Sequence, residues 1–183
     1  MCWLLKDFLI LNAEEALSLV KMSKSTEGCL LYRASRDGFT AQDFHSRCDG
    51  KTNTITIIKN NLNCVFGGYA SASWNSSNQY INDPNAFLFS LRRDGKSYND
   101  KFTIKKPENA LHGSSSYGPI FGGHDILVCN QSNATFGSYT NFGHSYNLPD
   151  GYGKGRIAKN FLTGNYNHWT TTEIEVYQIS EKI

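Results

Sequence analysis

The sequence predicts an α+β fold that is mainly β: a two-sheet antiparallel β-sandwich flanked by short helices. Three observations carry this. Gly (16), Tyr (10) and Phe (11) are abundant beside many Asn and Ser, a composition of short strands and tight turns more than of a helical bundle. Runs such as TITIIK and AFLFSL, alternating or wholly apolar, recur between stretches rich in Gly, Asn and Asp. Helix signals are few and brief.

Asn12 followed by Glu15 has the spacing of an N-cap with its reciprocal partner, and Ala13, Ala16, Leu17 and Val20 recur at helical intervals. A helix from about Ala13 to Met22 is expected, broken by Lys24 to Gly28. Leu30 to Tyr32 then reads as an apolar strand leaving the core at Arg33, and Asp37-Gly38 supplies a turn. Thr40 is placed to cap a second helix. Phe39 and Phe44 are spaced as a hydrophobic staple, Asp43 sits at N3 in the favourable end of the helix dipole, and Gly50 offers a stop. A helix of about two turns is marginal alone, so it must pack its Phe44 side onto the sheet.

Thr54 to Lys59 alternates β-branched residues, and Asn60 to Asn63 turns it into Cys64 to Ala70, giving a hairpin. Gly67 and Gly68 inside the second strand suggest a bulge or a close neighbour. Ser71 to Asn85 is a loop anchored by Trp74, Tyr80 and Ile81, and Ala86 to Leu91 is a strand covered on both faces. A turn at Arg93-Asp94-Gly95 leads to a strand at Lys101 to Lys105, with Phe102 and Ile104 inward. His112 to Gly123 reads as loop, Asp125 to Cys129 as strand, and Asn130 to Gly155 as irregular structure bearing Phe136, Tyr139, Phe142, Tyr146 and Tyr152. A helical turn at Ile157 to Leu162 and a last strand at Glu173 to Ile179 complete the sandwich.

The 183 residues fit one domain, 1–183, long enough to bury about 70% of the unfolded surface. A formal charge of +2 argues against a nucleic-acid footprint, and no stretch approaches the roughly 20 apolar residues of a membrane span. Cys2, Cys29, Cys48, Cys64 and Cys129 are odd in number and lack a C-x-x-C pair, which fits a reducing, cytoplasmic setting. The apolar start is interrupted by Lys6 and Asp7 and lacks a cleavage pattern, so no signal peptide is expected, and the sequons at Asn75, Asn130 and Asn133 are read as chance.

Taken in order, LLYRASRDGF with DFHSRCDG, then TITIIK, VFGGYASASW, DPNAFLFSL, FGGHDILVCN, NFGHSY and EIEVYQI resemble a TLDc domain, from about Asp7 to Ile179. The resemblance implies a β-sandwich flanked by short helices, as in the oxidation-resistance proteins and their nuclear-receptor-coactivator relatives. It also implies a link to oxidative-stress resistance and binding to the vacuolar proton-pumping ATPase, with no agreed catalytic residues. Larger members add lysin-motif, Rab-GAP-like or GTPase modules. None is recognisable in these residues, so those activities are not carried over.

The chemistry-bearing residues agree with a non-enzymatic interaction domain; the alternative is a redox or hydrolytic enzyme using Cys or a Ser/His pair. Cys48 and Cys64 would scavenge peroxide only as thiolates, and Cys48 falls near a helix C-terminus, where the dipole disfavours one. His112, His124, His144 and Asp125 lack metal-ligand spacing, so no metal or cofactor is expected. Ser114 to Ser116 lack a nucleophile elbow, and Gly122-Gly123 matches no phosphate-binding fingerprint. Arg33, Arg36, Asp37 and Asp49 read as an ion-pair lattice before a partner surface. The six basic residues between Arg92 and Lys106, a local +4, read as a solvated hairpin rim before an acidic-partner site. The residues selected as contacts for a protein partner are Trp74, Arg36, Asp37 and Tyr80, because aromatic-bearing loops on a rigid sheet are usual carriers of binding.

Overall fold

The computed structural model describes residues 8–165 and 167–180. Met1 to Asp7, Tyr166 and the last three residues lie outside these, and with them Cys2 and most of the start read above as lacking a signal peptide. In chain order the elements are α1 (Ala13–Ser23), β1 (Gly28–Arg33), α2 (Ala34–Asp37), α3 (Ala41–Cys48), β2 (Thr54–Asn60), β3 (Val65–Ala70), β4 (Tyr80–Ile81), β5 (Phe87–Arg93), β6 (Lys96–Thr103), β7 (Leu111–His112), β8 (Ile120–Phe121), β9 (Ile126–Leu127), α4 (Arg156–Thr163) and β10 (Thr171–Ile179). They form a six-stranded sheet in the order β1-β10-β2-β3-β5-β6 and a four-stranded sheet in the order β4-β7-β8-β9, with every strand pair antiparallel.

Both N-caps form as the residue types require. Asn12 accepts from the Glu15 amide while the Glu15 carboxylate accepts from the Asn12 amide, and Thr40 and Asp43 repeat the exchange at α3. The turn region after Arg33 is itself a one-turn helix, α2, which ends at Gly38. The hairpin of β2 and β3 forms, and β5 and β6 join through Asp94 and Gly95, both at positive φ (50° and 73°), the conformation of a two-residue turn matched to sheet twist. This tight turn starts β6 at Lys96, earlier than the alternation alone indicates.

The large sheet is buried on both faces. Ile55, Ile57, Val65, Phe87, Phe89 and Leu91 face one way and form a core with Leu19 and Met22 of α1. Ile58, Phe66, Leu88, Phe102, Ile174 and Val176 face the other way, onto a core completed by Leu111, Phe121 and Ile126 of the small sheet and Phe44 of α3. Gly68 is what lets the layers approach: a Cβ there would stand 2.6 Å from the Phe121 ring. The last strand does not lie at an edge. β10 inserts between β1 and β2, carrying two buried carboxylates, Glu173 and Glu175, into the sheet centre. Glu175 is held there by Arg33 and by the Leu9 amide.

The segment from Asn130 to Gly155 contains no helix or strand among its described residues, as expected, yet it is firmly tied. Asp125, fully buried, accepts backbone N–H groups of Gly143, His144, Ser145 and Tyr146. Isolated bridges from Ile104 to Tyr146, Leu127 to Tyr139 and Ser138 to Trp169 stitch it to the sheets.

Candidate docking surface

The four strands of the small sheet are two residues long, so each places one side chain inward and one outward. Ile81, Leu111, Phe121 and Ile126 belong to the main core, while Ile120 and Leu127 form a separate outer cluster with Cys129, against which Tyr139 packs. Beside that cluster Tyr80 lies opposite His112 across the β4–β7 pair, with ring centroids 4.9 Å apart.

From Tyr80 a chain of rings runs across this side of the molecule. His112 meets His124 at 6.4 Å, His124 meets Tyr139 at 5.7 Å, Tyr139 meets His168 at 5.8 Å, and His168 meets Phe136 at 6.3 Å. Tyr139 Oη and His124 Nδ1 share a 2.6 Å hydrogen bond. Both ends of the stripe are open to solvent, Tyr80 at 47% and Phe136 at 56% exposure. The Ser71–Asn85 loop, which supplies Tyr80, and the Asn130–Gly155 segment, which supplies Phe136 and Tyr139, are therefore linked here through His112 and His124. Burial lowers the affinity of His124 for a proton, and the neighbouring charges of His112 and His144 lower it further.

Trp74 is not part of this surface. It is 1% exposed, edge-to-face with both Phe44 and Phe121 at 5.3 Å, and its Nε1 donates to Thr54 Oγ1. A Trp in a loop of Asn and Ser is here an internal pillar between α3 and the small sheet, with no ring face left to offer a partner. Arg36 and Asp37 lie elsewhere too. Asp37 accepts from the Arg33 amide, from Arg36 and from Arg47, and its side chain is 3% exposed, so of the expected ion-pair lattice Arg36 and Asp37 pair, with Arg47 added, while the Arg33 guanidinium goes to Glu175. Burial pushes the Asp37 carboxyl up, but the hydrogen bonds from Arg36 and the Arg33 amide and the charges of Arg36 and Arg47 outweigh it and hold it low. Asp49 joins His45 and Ser76 instead. Of the four selected residues, only Tyr80 sits on the stripe; sequence reasoning missed His112, His124 and His168, whose ring contacts span strands and loops distant in sequence.

Cys48 and Cys64 are buried, and burial, reinforced by Asp49 and Asp37 at Cys48 and by Asp94 at Cys64, raises both thiols, the opposite of peroxide activation. Ser115 Oγ contacts Asn78 rather than an imidazole. Of Ser114, His45 Nε2 meets only the backbone carbonyl, and a hydroxyl–imidazole hydrogen bond joins Ser145 to His144, the Ser145 hydroxyl being wholly buried and also accepting the Gly123 N–H. Among the described residues no three His, Cys, Asp or Glu side chains are grouped to hold a metal ion. Nor is any helix among them long and apolar enough to cross a membrane.

The chain is thus a mainly β domain of two antiparallel sheets with a buried central strand and a few short helices. The family model for the TLDc domain matches residues 9–180, and the chain belongs to that family. No curated protein matches the chain.

Proposed function

We propose that this TLDc domain is a non-catalytic docking module, and that its partner is the vacuolar proton-pumping ATPase, on the cytoplasmic side. The single observation that supports docking is the stripe from Tyr80 to Phe136: aromatic and imidazole rings in continuous contact, exposed at both ends, and carried by loops pinned to rigid sheet. The pump as partner, and a role in oxidative-stress resistance, come from the family resemblance. A docked domain would shift the pump between rotary or assembly states only if it binds one state more tightly.

The test adds purified domain to isolated pump and measures co-sedimentation and ATP hydrolysis, beside a Tyr80→Ala/Phe136→Ala variant. Co-sedimentation that the variant loses is expected. Absence of both co-sedimentation and any change in hydrolysis at micromolar domain rejects the pump as partner; undiminished binding by the variant rejects the stripe.

A further inference from the structure

His124 stands at the middle of the stripe, half-buried in the turn between β8 and β9, and the titratable groups that face it are imidazoles and a phenol. His112 reaches it from β7, and His144 and Tyr139 reach it from the second loop. The Tyr139 phenol in turn faces Tyr80 of β4 and Tyr117 of the segment before β8. Asp125, the acid next in sequence, spends its carboxylate on the backbone N–H groups of Gly143 to Tyr146. No carboxylate among the described residues offsets the charges of His112 and His144 at His124.

The polar contacts of these rings suit the uncharged form. Tyr139 Oη lies 2.6 Å from His124 Nδ1. A neutral ring with its proton on Nε2 takes the phenolic O–H at Nδ1; a second proton occupies Nδ1, reverses this bond and turns the phenolic O–H away. His144 Nδ1 meets the Ser145 hydroxyl at 3.0 Å, and that wholly buried oxygen already accepts the Gly123 N–H, so a proton on Nδ1 displaces the hydroxyl's own hydrogen from its acceptor. Nδ1 of His112 is sealed from water with no hydrogen-bond partner among the described residues, a place for a lone pair and not for an N–H. Burial, and then the charges of His112 and His144, make His124 harder to protonate than an ordinary histidine.

We propose that the stripe is a proton-gated docking surface, which holds its partner while His124 is uncharged and releases it when His124 takes a proton. This rests on the docking reading of the stripe. A partner laid from Tyr80 to Phe136 strips water from the imidazole between them, and water is what hydrates a charge on His124 beside two further imidazoles. The complex then binds fewer protons than the free domain. By linkage its affinity falls as pH drops, about tenfold for each pH unit below the midpoint of His124 in the free domain, for one excluded proton.

The gate is read first without a partner, by NMR of the full chain labelled with 15N-histidine and 13C-tyrosine between about pH 8 and about pH 5. At neutral pH His124 Nδ1 should show the shift of an unprotonated, hydrogen-bonded nitrogen. On acidification His124 and the Tyr139 ring should change together, at a lower pH than His124 does in the urea-unfolded chain, and His112→Asn should move that midpoint up. Isolated vacuolar pump is then titrated with the domain from about pH 7.5 to about pH 5.5, with melting temperatures taken at each pH so that unfolding is not scored as release. The parent's affinity should fall with the midpoint seen by NMR, and that of His124→Asn, which accepts the positive φ of 67°, should stay constant over the same range. A His124 already charged at neutral pH, a Tyr139 ring that does not move with it, or parental docking that holds or tightens in acid overturns the gate and leaves the stripe as a docking surface. An equal loss in His124→Asn does the same. Absence of docking at every pH rejects the pump as partner, and the gate with it.

Discussion

Arg92 on β5 grips both carboxylate oxygens of Glu15 on α1, Nε to Oε1 at 2.7 Å and Nη2 to Oε2 at 2.6 Å, while Oε2 also accepts the Asn12 amide. One side chain thus completes a helix cap and fastens that helix to the sheet. Glu15 is fully buried and Arg92 nearly so. Glu15→Ala should therefore cost about 3–5 kcal/mol, because it leaves a guanidinium desolvated and unpaired as well as uncapping α1. Replacing both partners with Leu and Met should cost much less than Glu15→Ala alone. Denaturant midpoints for the three proteins check this, and a Glu15→Ala loss under about 1 kcal/mol would count against the pair.

Asp125 carries a comparable share of the second loop. Asp125→Ala removes the acceptor shared by four N–H groups, of which His144 alone keeps a second acceptor in the Asn141 carbonyl, and a buried donor left unmade costs about 1–3 kcal/mol. A loss above about 3 kcal/mol is expected, with faster amide exchange at Gly143 to Tyr146 than in β2 or β3. Uniform exchange across the molecule would show that this loop is not held by the carboxylate.

These two anchors show which features were legible in the sequence. The capping boxes at Asn12 and Thr40 were readable because cap, partner and apolar spacing lie within a few residues. The hairpin from Thr54 to Ala70 was readable from its β-branched first strand and its Asn-rich turn, and the two-faced strand at Phe87 because its apolar run is nearly unbroken. The strands of the small sheet were not, since two residues cannot display a period, and their pairing joins Tyr80 to His112 across a long stretch of chain. The same reason hid the ring stripe. Trp74 was misplaced because its neighbours are polar; the signal that it belongs inside is its bulk, which finds partners only at Phe44 and Phe121, remote in sequence.

Acid should weaken the fold through His124. In the unfolded chain this imidazole takes up a proton near its usual pH of about 6.5, whereas the folded chain, where burial and then His112 and His144 oppose the charge, takes it up only lower. Over that interval the unfolded state binds more protons, so stability falls as pH drops. Asp125 runs the other way: burial raises its carboxyl despite four N–H bonds, so the folded state holds its proton first and gains stability as pH falls through the raised value toward the unfolded one. The melting temperature should decline from about pH 7.5 to about pH 5.5, and His124→Asn, which accepts the positive φ of 67° at this position, should flatten that decline. An identical slope in parent and variant would remove His124 as its source.

The last prediction separates the internal aromatic from the surface ones. Trp74 fills the space between α3 and the small sheet and satisfies its N–H on Thr54, so Trp74→Ala should cost about 3–5 kcal/mol through the cavity and the orphaned hydroxyl neighbour. Tyr80 is half in solvent, and Tyr80→Ala should change stability by no more than about 0.5 kcal/mol. Docking should show the reverse order once folded protein alone is compared. Tyr80→Ala, at an exposed end of the stripe, should weaken capture of the partner by about 2 kcal/mol if it is an anchor, near thirtyfold, while any effect of Trp74→Ala should vanish at a temperature and concentration where that variant is fully folded. Thermal melts paired with a binding titration on the same preparations decide it. A folded Trp74→Ala that still binds poorly would mean that the packing of Trp74 against Phe121 sets the shape of the small sheet on which the stripe rests.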